Sequence, residues 1–177
     1  MASYGTLSAA NAFFADRLHS YDWDISTVVD RQKAMNQATE LIDQFDYIGQ
    51  KYPVQVACDA ITAAGTDVTS DANQLALRVA EESQDLEFPR GDSSTIPTEI
   101  ETACYLIAKA LLSGRDPDAD LESLSVKSAA YGGVRTAYQR DGNNQEHMAH
   151  LIPSPQAFNL IRPFFRERDS FDVKRVP

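Results

Sequence analysis

QDLEFPRGDSSTIPTEIETACYLIAKALLSG, residues 84–114, is the stretch on which the fold depends. Pro97 stands where a first-turn proline is tolerated, Gly114 follows the last periodic residue, and Pro117 prevents continuation. Apolar residues recur between them at the spacing of one helical face, at Ile100, Ala103, Cys104, Ile107 and Leu111. The pattern predicts a helix over 97–113, roughly 25 Å long at about 1.5 Å per residue. Burial of its apolar face makes it the expected centre of the fold.

The composition describes a single acidic domain. The chain has 177 residues, of which 43% are apolar, enough for a real core. Its net charge of −10 argues against tight, non-specific binding to nucleic acid or to anionic membranes. Cys58 and Cys104 are too few for a disulfide framework, so both are expected to be buried thiols in a reducing compartment. With no apolar run of membrane-spanning length and no signal-peptide pattern, a soluble protein that is cytosolic where it is made is expected.

Two helices are predicted before residue 50. Thr6 or Ser8 can cap the first, whose apolar stripe is Leu7, Ala10, Phe13, Phe14 and Leu18. Residues 19–25 are predicted to break it. Ser26 or Thr27 can cap the second helix, whose stripe is Ala34, Ala38, Leu41, Ile42 and Phe45. Gly49 is expected to stop that helix, and the short connection favours antiparallel pairing of the two.

Residues 53–83 are predicted to be an insertion that leaves the main bundle. Its clearest element is an acidic helix over 71–82 with Leu75 and Val79 facing inward. After the central helix, 116–120 is predicted to be a polar turn. The segments 124–130 and 134–138 flank Gly132 and Gly133, which favours a β-hairpin over about 124–138. Pro155 then begins a last short helix, which Pro163 should end.

Candidate chemical sites are weak throughout. The run Asp116-Pro-Asp118-Ala-Asp120 resembles the start of a calcium loop, but Leu121 and Lys127 stand where that loop needs glycine and glutamate. His147 and His150 could share a helical face, yet a zinc site needs further ligands. Nothing joins a nucleophile to a base and an orienting group. The sequence therefore predicts no catalytic residue, no metal and no cofactor, and a protein that is not an enzyme.

The carboxyl-terminal segment differs from the rest of the chain. From Arg162 onward five basic and three acidic side chains give a net charge of +2, so the preceding residues carry −12. Apolar residues recur within it, at Phe164, Phe165, Phe171, Val173 and Val176, and Phe171 and Val173 alternate with polar neighbours as in a strand added to a sheet edge. Clusters of this kind mark interfaces. The segment 164–177 is therefore predicted to be an extended docking tail.

A series of short motifs, taken in order, resembles a known family. They are Tyr4-Gly5-Thr6 leading to Ala10, Phe13 and Phe14, then Trp23, the helix 31–45 (RQKAMNQATELIDQF), Tyr47-Ile48-Gly49, the run 84–90 (QDLEFPR), Ile96-Pro97, the helix 103–112 and the short helix before the basic tail. This order resembles the head–tail adaptor (connector) proteins of tailed bacteriophages, some of which are grouped as DnaT-like single-stranded-DNA-binding proteins. The resemblance covers most of the chain except 53–83.

The resemblance implies a mainly α fold, a small helical bundle with a β-hairpin and an extended carboxyl-terminal tail. The adaptor domain would span 1–163 and the tail 164–177. Such proteins form a ring, usually of twelve copies, beneath the portal protein in the neck of the virion, where the ring extends the channel for double-stranded DNA and receives a tail or neck protein. By position, the portal-docking candidates are Phe164, Phe165, Arg166, Arg168, Phe171, Val173, Lys174 and Arg175.

Two other functions remain open from sequence. A single-stranded-DNA-binding or replication-accessory module needs a basic groove with stacking aromatic residues, and the sequence supplies the aromatic residues without an evident groove. A small hydrolase needs a nucleophile–base arrangement, which the sequence does not present. An acidic channel wall, by contrast, suits DNA that must slide without being gripped.

Overall fold

The computed structural model describes residues 2–125, 128–131, 134–137 and 146–166. The predicted helical class is confirmed for these residues. The helices are α1 Leu7–Ala15, α2 Tyr21–Ile25, α3 Val28–Asp43, α4 Tyr52–Ala63, α5 Asp71–Glu82, α6 Thr98–Leu112, α7 Pro117–Ser125, α8 Glu146–Ala149 and α9 Pro155–Ile161, followed by a 3₁₀ turn at Arg162–Phe164.

Helix α6 lies at the centre, as predicted. It packs against α3 on one side and α9 on another, and Ile100, Cys104 and Ile107 are fully buried. Pro97 is the residue before the helix rather than its first residue, and Gly114 takes a positive φ of 84° after the helix ends. The apolar face of α6 that the sequence predicts is therefore the face that packs against the other helices of the bundle.

The amino-terminal helices begin at the predicted caps. Thr6 Oγ1 accepts from Ala9 N and Thr27 Oγ1 accepts from Asp30 N, both at 3.1 Å. These bonds satisfy amides that have no partner within their helices. Helix α3 ends at Asp43, so the predicted stop at Gly49 comes too late and Phe45 lies beyond the helix.

The first helix does end before residue 19, at Ala15, but the segment 19–25 that was predicted to break it contains a second short helix, α2. Trp23 is buried against Phe14, with ring centroids 4.7 Å apart, and its Nε1 donates to Asn11 Oδ1 at 3.0 Å. Asp22 and Asp24 stand in the first turn, where the helix dipole favours negative charge. Burial of one large side chain is enough to fix a helix too short to show periodicity.

Helices α4 and α5 pack on each other and form a helical hairpin within the predicted insertion 53–83. Leu75 and Val79 are 62% and 59% exposed, so the prediction that they face inward is wrong. Leu77, on the other side of α5, is half-buried instead. Cys58 is also only half-buried, unlike Cys104. Helical spacing identified an apolar stripe but could not say which stripe the neighbouring helix covers.

The polar turn predicted at 116–120 is the start of α7, because Pro117 suits a first helical position and Asp118 and Asp120 stand in the first turn. The helix also takes residues 124–125 from the predicted hairpin. Strands β1 Ser128–Tyr131 and β2 Val134–Ala137 pair antiparallel, with Tyr131 opposite Val134. The glycine turn and residues 138–145 lie outside the described residues, so the hairpin as a whole stays a prediction.

Candidate functional site

The last described residues pair with the loop that follows α3. Ile48 N donates to Phe164 O at 2.9 Å, and Arg166 N donates to Asp46 O at 3.0 Å. Tyr47 and Phe165 form an antiparallel bridge between these bonds. The chain is therefore fastened to the body through residue 166, three residues beyond the predicted domain boundary at 163.

Aromatic packing reinforces this attachment. The Phe165 ring lies 4.9 Å from the Phe45 ring and 5.8 Å from the Phe158 ring, measured between centroids. The Phe164 ring meets Phe88 edge-on at 5.6 Å. Phe164 and Phe165 thus belong to the body and not to a free tail, because their rings gain more from an apolar neighbourhood than from water. The boundary at 163/164 is corrected accordingly.

The other predicted docking residues divide into two groups. Arg166 is exposed, and its backbone is held by Asp46. Arg168, Phe171, Val173, Lys174 and Arg175 lie outside the described residues. The structure therefore packs Phe164 and Phe165 against the body and fixes the backbone position of Arg166.

Two open depressions flank Phe165. One, of about 650 Å³, is lined by Ile48, Glu146, Arg162, Pro163 and Phe165. The other, of about 360 Å³, is lined by Gln44, Phe45, Asp46, His150, Phe165 and Arg166. Ile48 is 59% exposed at the edge of the first. Sequence reasoning missed Ile48 as a surface residue; its signal was an apolar residue between Tyr47 and Gly49, beyond the end of the predicted apolar stripe.

The run 84–90 acts as a clamp on the same loop. Glu87 pairs with Lys51, Nζ to Oε1 at 3.3 Å, and with Arg90. The Arg90 guanidinium also donates to the carbonyl oxygens of Tyr47 and Ile48, each at 3.3 Å, and to that of Gly49. The run 84–90 therefore has a structural task. It holds the loop that holds the carboxyl-terminal segment.

A buried polar pair ties the amino terminus into the clamp. The Tyr4 hydroxyl donates to Asp43 Oδ1 and accepts from Phe88 N at 3.1 Å, and Glu87 N donates to the same Asp43 oxygen at 3.3 Å. Burial raises the pKa of Asp43 and, together with the Asp43 bond, the pKa of Tyr4. Both side chains are engaged in holding backbone together, which suits architecture rather than proton transfer.

The two histidines lie close to this region without forming a metal site. His147 is buried in α8, and burial first, then the charge of Arg115, lowers its pKa. His150 follows that helix and stacks on Phe158 at 5.3 Å. Within the described residues, no group of three or more His, Cys, Asp or Glu side chains could hold a metal ion. Their observed contacts are those of packing side chains.

The described helices include none that is both long and apolar enough to cross a membrane. The surface around Phe165 offers aromatic rings and two open depressions, which suits contact with another polypeptide. No family model, curated protein or solved structure matches this chain.

Proposed function

We propose that this protein is a structural adaptor of a bacteriophage neck. In this proposal, copies of the chain form a ring beneath the portal, extend the DNA channel and join the head to a tail or neck protein. The predicted β-hairpin belongs to the same proposal, as does location in the virion. The protein contributes surfaces and carries out no chemistry.

The observation that carries the proposal is the attachment of Phe164 and Phe165. The chain is held to the bundle as far as Arg166, and residues 167–177 follow it in the sequence. A docking segment with one fixed end searches a smaller volume than a free peptide, so less ordering entropy opposes binding. Exposed Ile48 and the two depressions extend the same surface on the body.

The charge of the chain supports the channel part of the proposal. Each basic contact with a DNA phosphate would resist sliding, whereas a net charge of −10 on every copy repels the duplex. A ring multiplies that repulsion by its copy number. Double-stranded DNA would therefore pass through the ring without specific binding.

The test is capture of a portal ring, purified from the virus that carries this gene, by three forms of the chain. These are the full-length protein, a protein cut after Arg166, and a matched control in which 167–177 are scrambled. A cut after Pro163 is unsuitable because it removes Phe164 and Phe165 from the body. The cut position matters because loss of binding must report docking and not folding.

We expect capture by the full-length chain and at least tenfold weaker capture by the cut and scrambled forms. Tenfold corresponds to about 1.4 kcal/mol of binding free energy. Equal capture by all three would move the docking surface to Ile48 and the depressions beside Phe165. Absence of capture by the full-length chain would reject the adaptor proposal.

A further inference from the structure

A groove at one end of the bundle gathers basic side chains on this acidic protein. It consists of two adjoining depressions that share His19 and Lys109; Arg17 lines one, and Arg115 and the acidic Asp22 line the other. Arg115 also pairs with Asp120, Nη1 to Oδ2 at 3.4 Å. We call this surface the corner groove. Its residues are far apart in the sequence. Local sequence patterns could not reveal it, because Arg17 and Lys109 are separated by 92 positions.

One exposed apolar side chain lines the corner groove, and two more stand on α2, the helix that supplies Asp22 to the groove. Leu18, which lines it, is 88% exposed, and Tyr21 and Ile25, four residues apart on α2, are 69% and 62% exposed. A large apolar side chain left in water at this level, repeated along one edge, is typical of an interaction surface. The surface therefore combines positive charge with an apolar border.

The α4–α5 hairpin has the complementary character. Between residues 52 and 82 there are five carboxylates, Asp59, Asp67, Asp71, Glu81 and Glu82, and one basic residue, Arg78. Leu75 and Val79 project from α5 into solvent, and the exposed Ala72 and Ala76 complete their stripe. Positions 72, 75, 76 and 79 have the spacing of one helical face. This face lacks a neighbour within the described residues and is acidic at its end.

The two surfaces lie at opposite ends of the α3–α6 pair. At the start of α3, Arg31 Nε donates to the carbonyl of Trp23 at 2.9 Å, one residue from Asp22 in the corner groove. At the end of α3, Asp43 meets Glu87, and Lys51 fixes the base of the hairpin through Gln84 O at 3.1 Å. The 16 residues of α3 place these ends roughly 24 Å apart at about 1.5 Å per residue.

We propose that the corner groove of one copy receives the α4–α5 hairpin of a second copy. Opposite charge and matched apolar side chains on two different surfaces make this a head-to-tail contact, which builds a ring when the rotation between copies closes. The inference rests on the proposed function only for the ring. It assigns the predicted insertion 53–83 to self-assembly and leaves the surface around Phe165 for the portal.

Sedimentation velocity and equilibrium measurements test the contact with two variants of the full chain. The hairpin variant carries Leu75→Lys and Val79→Lys, and the groove variant carries Arg17→Glu and Lys109→Glu. Ile48→Lys is the matched control, since Ile48 is an exposed apolar residue at the other surface. We expect the unchanged protein and the control to associate with rising concentration, less so at high salt. Each variant should associate at least about tenfold more weakly.

Mixing separates a lost contact from a lost fold. An equimolar mixture of the two variants contains one intact groove and one intact hairpin, so it should form 1:1 complexes although each variant alone stays monomeric. A misfolded variant would not recover on mixing. Association of either variant as strong as that of the unchanged protein would overturn the proposal. So would an unchanged protein that stays monomeric up to about 1 mM, the range of the weakest specific contacts.

Two comparisons distinguish this proposal from the others. Portal capture without self-association would retain the adaptor proposal and reject the groove–hairpin contact, whereas self-association without portal capture would do the reverse. A filter-binding assay with a single-stranded oligonucleotide tests the alternative that the corner groove binds nucleic acid. Tight, salt-sensitive binding that the groove variant loses would reassign the corner groove to nucleic acid and overturn the proposal.

Discussion

Tyr4 and Asp43 share a hydrogen bond in which the tyrosine hydroxyl donates to Oδ1 of the carboxylate, and the same hydroxyl accepts from Phe88 N. Replacing Tyr4 by Phe leaves a buried amide and a carboxylate oxygen without this partner. We expect Tyr4→Phe to lower the free energy of unfolding by about 2–4 kcal/mol, measured by urea denaturation. Tyr21→Phe, at an exposed hydroxyl, should change it by no more than about 0.5 kcal/mol. Equal effects would contradict the assignment.

Asp43 should make stability depend on pH. Burial raises its folded-state pKa, so the folded protein binds more protons than the unfolded chain as the pH rises from acid. The contribution of Asp43 to stability is therefore present below its unfolded-state pKa, near 3.9, and is lost as the pH rises through the folded-state pKa.

Asp43→Asn removes this titration while keeping an oxygen that can accept from Tyr4 and from Glu87 N. The stability of Asp43→Asn relative to the unchanged protein should increase as the pH is raised from about 3 toward neutrality. Urea denaturation of both proteins across that range measures the difference. A difference that is constant with pH would show that the carboxyl is not perturbed by folding.

Gly5 is fixed by its neighbour as well as by its backbone. Its φ is +79°, and a Cβ added there would lie 2.1 Å from the Tyr105 hydroxyl oxygen. We expect Gly5→Ala to cost about 2–4 kcal/mol of unfolding free energy, and Gly5→Ala with Tyr105→Phe to cost less. Gly65→Ala is the control, because φ is +65° there but nothing lies near the added atom. Its cost should be about 1–2 kcal/mol.

Arg90 depends on the shape of its guanidinium. The group reaches Glu87 and the carbonyls of Tyr47 and Ile48, and its side chain is 13% exposed. Arg90→Ala should cost about 3–5 kcal/mol because it leaves Glu87 half-buried with fewer partners. Arg90→Lys should recover only part of this, since an ammonium cannot reproduce the planar fork. Lys33→Ala, at an exposed i,i+3 pair, should change stability by at most about 1 kcal/mol. Thermal and urea denaturation would measure each.

Phe165 should affect both stability and docking. Phe165→Ala removes contacts with Phe45 and Phe158 and should cost about 2–4 kcal/mol of unfolding free energy. In the capture assay it should also weaken portal binding, because residues 167–177 would no longer start from a fixed point. Phe165→Leu, which keeps an apolar group of similar size, should recover most of the stability. Unchanged portal capture by a folded Phe165→Ala protein would contradict the anchoring role.

The sequence was sufficient for elements whose burial follows from a long repeat. Helix α6 shows four turns of apolar spacing, and the caps at Thr6 and Thr27 need only local hydrogen bonds. The spacing of apolar residues was insufficient where a helix has apolar residues on two faces and only one of them is covered by the neighbouring helix. Leu75 and Leu77 are both apolar residues of α5, and only the position of α4 decides which is covered.

The candidate site was predicted in part. Basic and aromatic composition predicts an extended docking tail over 164–177, which stays a prediction, but it did not reveal the contacts of Phe164 and Phe165 with the body. Their partners, Phe88 and Phe45, precede them by 76 and 120 positions, a separation at which no local pattern operates. The clamp made by Glu87 and Arg90 was noticed as a motif, yet its carbonyl partners on the loop before α4 are visible only in three dimensions.

The Phe88 ring has a consequence for how the protein is made. It contacts Tyr4 from the first residues of the chain and Phe164 from the last described ones, with centroid distances of 6.1 Å and 5.6 Å. Synthesis proceeds from the amino end, so Tyr4 can contact Phe88 only after residue 88 has been made. The contact between Phe88 and Phe164 can form only later, after residue 164 has been made. The aromatic cluster can close only after residue 164 has left the ribosome. A chain whose synthesis stops before residue 164 would leave those rings exposed to proteases, so the proposed docking surface can form only on chains translated beyond that position.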